Sequence, residues 1–197
     1  MSWIQPPVIL ESKNIKLVPL DANHFPDLIS IGANKEIWAH LPADGSDAHT
    51  LLHELKSAVL KRVSGSEYPL TIFDNQQHKI IGSTRLLNIF PEHRKLEIGW
   101  TWYDPAYWGT GYNTECKLLL LTYCFETLGT VRVQLQTREQ NFRSQAAIKK
   151  IGATFEGILR NDRIRTDGTK NTFMFSIIDS EWPAVKANLE KMIASAT

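Results

Sequence analysis

From Asn14 to Leu20 the chain alternates apolar with other residues, a period of two that predicts a strand. Asp21 then offers an N-cap, and Phe25, Leu28, Ile29 and Ile31 predict a helix behind it. Leu51, Leu52, Leu55, Val59, Leu60 and Val63 recur at mixed three- and four-residue spacing, a second helix that Gly65 ends. Residues 68–74 and 79–89 read as two strands joined at Asn75-Gln-Gln-His78, a hairpin. Residues 95–103 predict another strand, broken by Asp104-Pro105. A loop leads into residues 111–128, apolar nearly all round and so a buried helix. A strand follows over 131–137, then a helix over 141–151 that stops at Gly152. Residues 154–159 and 172–178 read as strands around a polar turn at Asp167-Gly168, and 179–193 as a last helix with Pro183 in its first turn. Antiparallel strands, then strand–loop–helix–strand–helix, then further strands, make an α/β or α+β fold with a mixed sheet.

At 197 residues, 43% hydrophobic and 22% charged, the chain suits one folded domain over 1–197. A net charge of +1 argues against nucleic acid or a membrane surface as generic partners. No apolar run approaches the ~20 residues that span a bilayer. The N-terminal stretch from Met1 to Pro7 lacks the basic, apolar and small-residue order of a signal peptide, and the use of only two cysteines makes the cytoplasm the default compartment. Cys116 and Cys124 fall on one predicted helix. Eight positions rise ~12 Å, beyond the ~7 Å reach of a disulfide. No further cysteines are present for a zinc site, and no metal is expected. His49 and His53 share a helix face, but Thr50 stands where a metalloprotease motif needs Glu; a solvated face is the expectation.

The chemistry concentrates in Pro105-Ala-Tyr-Trp-Gly-Thr-Gly-Tyr-Asn-Thr-Glu115, which follows a strand and opens a buried helix. Gly109 and Gly111 let backbone approach a ligand, and the free N–H groups of a helix start form an anion site. The simpler alternative is a turn with two glycines. A dinucleotide loop needs a third glycine where Thr114 stands, and a Walker loop needs Gly-Lys-Ser/Thr, which is missing.

Four ordered motifs then resemble the GCN5-related N-acetyltransferases, closest to the RimJ/RimL-like ribosomal-protein N-terminal branch. They are Glu97-Ile-Gly99, Pro105 with Trp108-Gly-Thr-Gly-Tyr-Asn-Thr-Glu115, Asn141-Phe-Arg-Ser144 and Glu156-Gly-Ile-Leu-Arg160. The resemblance implies a single twisted mixed sheet of about seven strands with flanking helices, splayed between its fourth and fifth strands near a bulge. It implies acetyl-CoA in that wedge, its pantetheine arm pairing near Trp102 and Tyr103. The pyrophosphate would sit on the amides of Trp108, Gly109, Thr110, Gly111, Tyr112 and Asn113. Two positions depart from the broader pattern. Ala106 stands where Arg or Gln is common, which leaves the pyrophosphate to backbone amides. Ile148 stands where many relatives carry a proton-donating tyrosine.

The implied reaction is direct acetyl transfer from the thioester to an amine. Glu97 is the candidate base, Ser144 the group that stabilises or protonates the leaving thiolate, and Asn141 a holder of cofactor or water. Glu97 could instead be a solvated strand residue, Ser144 a backbone-bonding helix residue, and Asn141 is a good N-cap either way. Trp38, His40 and Leu41 belong to the region that walls the acceptor pocket in related enzymes, with core packing as the rival role. The acceptor ranges from a protein N-terminus to a peptide, an aminoglycoside-like molecule or a polyamine. A homodimer stays open, as does a non-catalytic acyl-CoA-binding module on the same fold. Residues 17–55 hold one Lys and six Asp/Glu, whereas 132–170 hold nine Lys/Arg and four Asp/Glu. An acidic flank for a cationic amine and a basic flank for phosphates is the corresponding expectation.

Overall fold

A computed structural model describes residues 3–165 and 168–195. Met1, Ser2 and Asp167 of the segments above lie outside the described residues. The strands are β1 (Leu10–Glu11), β2 (Ile15–Pro19), β3 (Tyr68–Asp74), β4 (Lys79–Phe90), β5 (Lys95–Tyr103), β6 (Arg132–Arg138), β7 (Thr154–Arg165) and β8 (Gly168–Ile178). They form one sheet in the order β1-β2-β3-β4-β5-β6-β8-β7. Every neighbouring pair is antiparallel except β5–β6, which is parallel. The eighth strand beyond the expected seven or so is accounted for by β1, only two residues long.

Helices α1 (Phe25–Gly32), α2 (Ala48–Val63), α3 (Tyr112–Thr122), α4 (Phe142–Lys150) and α5 (Trp182–Ala194) cover the two faces. Side chains alternate across each strand, so two cores form. On one face Leu96, Ile98, Val133, Leu135, Phe175 and Ile177 pack with Leu120 of α3, Ile148 of α4 and Leu189 of α5. On the other, Ile80 and Trp102 pack with Leu28 of α1, Leu51 and Leu55 of α2, and Trp38.

Local chemistry sets the boundaries and explains where they depart from the periodicity. Asp21 caps a 3-10 turn, Ala22–His24, accepting from the Asn23 amide at 3.0 Å, and α1 starts only after it, with Pro26 in its first turn. Asp47 caps α2 through the Thr50 amide at 2.7 Å. The expected 111–128 helix is α-helical to Thr122 and then widens into one π turn, Tyr123–Thr127, closed by the Leu128 amide on the Tyr123 carbonyl. β7 and β8 extend well past the apolar segments 154–159 and 172–178. Their outer part is polar, and a backbone ladder through Arg163↔Lys170, Ile164↔Thr169 and Arg165↔Gly168 holds it. Cys116 and Cys124 are buried free thiols, as their spacing requires.

Gly82 of β4 faces Tyr103 of β5, and a Cβ there would lie 2.1 Å from the Trp102 carbonyl oxygen. Because the clash is with main chain, no rotamer relieves it. Gly82→Ala is therefore expected to lose about 1–3 kcal/mol in urea denaturation. Wild-type stability in that variant would mean that β5 yields freely at Trp102.

Candidate functional site

Between β4 and β5 the register steps from Arg85↔Gly99 to Ser83↔Trp102, so β5 carries one extra residue. That bulge is at Trp100, whose φ is +51°, an uncommon value for a bulky side chain. The bulge reverses the alternation. Ile98 faces the α3 side and Glu97 the opposite one, whereas beyond it Tyr103 faces α3 and Trp102 packs toward α1 and α2. The Arg85 guanidinium covers the Trp100 ring at 4.3 Å and is itself held by Glu67 at 3.0 Å, which also pairs with Lys61.

β5 and β6 pair only through Lys95↔Arg132, Leu96↔Val133 and Glu97↔Gln134. Past that point a cavity of about 1190 Å³ lies against both strands. Gly99–Tyr103 and Leu135–Arg138 line it, with the start of α3, the inner side of α4 and the His40–Pro42 loop.

The 105–115 loop is anchored from beneath. Asp104 accepts from the Ala106 amide at 3.0 Å, the Tyr107 hydroxyl donates to buried Asp74 at 2.7 Å, and Tyr112 packs edge-on to Tyr107. The Thr110 hydroxyl donates to the Tyr107 carbonyl at 2.7 Å. Gly109 and Gly111 have φ of +78° and +93°, which only glycine adopts without strain. The amides of Gly109 through Asn113 have no hydrogen-bond partner among the described residues, so the loop offers a run of donors fit for a phosphate. One expected amide is excluded: Trp108 N–H donates to the Pro105 carbonyl at 3.0 Å and closes the turn. Instead the Trp108 ring carries the Arg143 guanidinium at 3.7 Å, a cation at the cavity wall.

Of the residues expected to hold cofactor, Trp102, Tyr103, Trp108, Gly109, Gly111, Asn113, Asn141 and Ser144 line the cavity; Thr110 and Tyr112 stand outside its lining. The Trp102 ring packs on Trp38 at 5.3 Å, giving Trp38 a core role beside the cavity. Asn141 caps α4, accepting from the Ser144 amide at 3.1 Å. Ser144 and Ile148 both line the cavity from α4.

Glu97 is no solvated strand residue. It is 1% exposed and sits among three amide donors: Asn88 Nδ2 at 2.8 Å, Gln134 Nε2 at 3.2 Å and Gln136 Nε2 at 2.7 Å. Burial pushes its carboxyl above the ordinary range; the hydrogen bonds from Gln136, Asn88 and Gln134 pull the other way but lose. Asn88 reaches it from a second bulge, with φ of +45°. The sequence signal for this cage was the Gln-Leu-Gln alternation of β6, which places Gln134 and Gln136 on the face of Glu97.

The basic flank is on the cavity wall: Arg138, Arg143, Lys150, Arg163 and Arg165 line it. The acidic flank is not. None of the six Asp/Glu of residues 17–55 lines the cavity, and among the described residues its carboxylates are Glu67 and Glu97. From the first region His40 does line it, its pKa pushed down by burial and by Arg138 and Arg143. His49 and His53 are exposed on α2.

A family model described as an acetyltransferase (GNAT) domain matches residues 14–154. The crystal structure of a GCN5-related N-acetyltransferase from Brucella melitensis superposes with a TM-score of 0.87 at 26% identity, covering 95% of this chain and 86% of that one. A Bacillus subtilis protein provisionally named ribosomal N-acetyltransferase YdaF is 32% identical over 108 residues, 54% of this chain and 58% of its own. The chain spans little more than half the length of the Bacillus subtilis relatives it matches. RimL, a ribosomal alpha-N-protein acetyltransferase in complex with coenzyme A, shares the fold with a TM-score of 0.77 at 20% identity, over 88% of this chain and 99% of that one.

The Glu97 cage makes a prediction of its own. Gln136→Leu removes a donor that favours the charged carboxylate, so the Glu97 pKa should rise further. Side-chain carboxyl 13C NMR titration reads it directly, and an unmoved midpoint would contradict the cage.

Proposed function

The chain belongs to the GNAT family of acetyltransferases, and on that premise we propose that it moves acetyl from acetyl-CoA directly to a primary amine, with a protein N-terminal amine as the acceptor. One observation carries the reading. Gly109, Gly111 and Asn113, whose amides are unpartnered, and the buried, amide-caged Glu97 line the same cavity. The first suits a pyrophosphate and the second a base. Acetyl-CoA supplies an acetyl group already activated as a thioester.

Each residue then has a task. Backbone along Gly99–Tyr103, unpaired toward β6, is where an extended pantetheine arm would add, and a bulge N–H there would polarise the thioester oxygen. The attacking amine must be neutral. An α-amino group, pKa ~8, meets that condition far more readily than a lysine at ~10.4. Glu97 takes its proton, directly or through a water, and Asn88 and Gln136 hold the carboxyl in place. Ser144 offers its hydroxyl to the departing thiolate, a task that buried Ile148 cannot perform. Much of the rate would come from holding amine and thioester together. The choice of a protein N-terminal acceptor is supported by the four motifs and by the names of YdaF and RimL. The buried free thiols suit a reducing, cytoplasmic setting.

Free-thiol release from acetyl-CoA, with mass spectrometry of an acceptor-peptide panel, tests the reaction. Tight acetyl-CoA binding without turnover on any amine would make the chain a binding module. With Glu97 as base, kcat/KM should fall as pH drops through its pKa, above the usual carboxylate value of 4.5, because protonation removes the base. Glu97→Gln should abolish that limb and slow turnover about 100-fold or more. A variant with the wild-type rate and pH profile would exclude Glu97 as the base.

A further inference from the structure

Two charged side chains early in α3 are buried, Glu115 and Lys117. The fold explains Glu115. Its carboxylate accepts from Ser12 Oγ at 2.6 Å, Asn14 Nδ2 at 3.0 Å and Asn14 N–H at 3.3 Å, fixing the turn between β1 and β2. Lys117 has no such explanation. It is 6% exposed, and its Nζ donates to Thr101 Oγ1 at 2.9 Å. Among the described residues it makes no ion pair. Cys116 and Cys124 are the titratable groups that bear on it, and both thiols are pushed up by burial, so they stay neutral. Burial pushes the Lys117 ammonium down in turn.

An ammonium taken out of water without a carboxylate costs several kcal/mol. Of its three N–H donors, one meets Thr101, whose hydroxyl is already shared with Thr84 Oγ1 at 2.8 Å. Lys117 nevertheless lines the cavity, and Thr101 directly follows the bulged Trp100. The charge therefore sits where β5 has lost its β6 partner, with donors to spare.

We propose that Lys117 is a substrate-contacting residue whose ammonium donates to a carbonyl oxygen of the acyl-thioester arm lying along β5. The proposal rests on the acetyl-CoA reading above. The carbonyl is either an amide of the pantetheine or the thioester itself. Against the thioester, the cation would stabilise the oxygen that turns negative as the amine adds. No bond to Lys117 forms or breaks, and its protons stay on nitrogen.

Lys117→Met keeps similar bulk and removes the charge; Lys117→Arg keeps the charge. Melting without ligand, calorimetric affinity for CoA and acetyl-CoA, and saturated turnover are measured for both and for the wild type. Lys117→Met should melt at or above the wild type, because an unpaired buried charge is gone. It should also lose about tenfold or more, the worth of a hydrogen bond to a charged group. A loss of affinity shared by CoA and acetyl-CoA identifies an amide carbonyl. A loss of kcat with CoA affinity intact identifies the thioester carbonyl. Lys117→Arg should recover part of either loss. A Lys117→Met variant that melts well below the wild type, or that keeps both affinities and kcat, overturns the proposal. A wild type that binds neither CoA nor acetyl-CoA sinks the acetyl-CoA reading first, and that arm reports it independently of the variants.

Discussion

A sheet whose central pair stops hydrogen bonding after three residues releases main-chain groups inside the protein, where each costs free energy unless it finds a partner. β5 and β6 make that break just beyond Glu97 and Gln134. The rest of the site is arranged around it. The bulge at Trp100 turns β5 after the last pair, Gly82 lets β4 stay close beneath Trp102, and α3 and α4 bring a loop of free amides and a capped serine to the opening. An extended polyamide arm is the natural guest of an unpaired strand edge, because it completes the ladder.

Three of the buried charges gather around the break. Glu97, Lys117 and Arg85 would be poor choices for a sealed core. Arg85 has Glu67 and the Trp100 ring, and Glu97 has three amides. The bulges that hold Trp100 and Asn88 at positive φ store backbone strain at the same place. The buried charges and the strained bulges thus gather within a few residues of the point where β5–β6 pairing ends.

Much of this was legible in the sequence. Period-two and helical apolar patterns located β2–β6 and α1–α5 to within a few residues, because those patterns are set by which side chains must face the two cores. The glycines of the 105–115 loop pointed to free backbone amides, and those of Gly109–Asn113 are unpartnered among the described residues. Three features were hidden for physical reasons. The Trp108 amide is consumed by a 3-10 turn, a local bond that glycine spacing does not reveal. Asn88 reaches Glu97 only through a bulge, which shifts register without leaving a composition signal. The outer parts of β7 and β8 are polar, so hydrophobic periodicity is silent about them while their backbones still pair. The charge of residues 132–170 did mark a cavity wall, but the acidic residues of 17–55 stand outside the cavity lining.

β7 is the last strand of the sheet, and its twelve residues leave one side of a long ladder open. Phe155, Ile158, Leu159 and Ile164 are exposed along it. Such an edge invites pairing with the same strand of another chain, a route to aggregation. β7 carries the usual safeguards. Its register shifts between Phe155 and Gly157 and again between Leu159 and Arg163, and Arg160, Asp162 and Arg163 interrupt the apolar run. The irregular hairpin beside the cavity thus doubles as protection for the protein at high concentration.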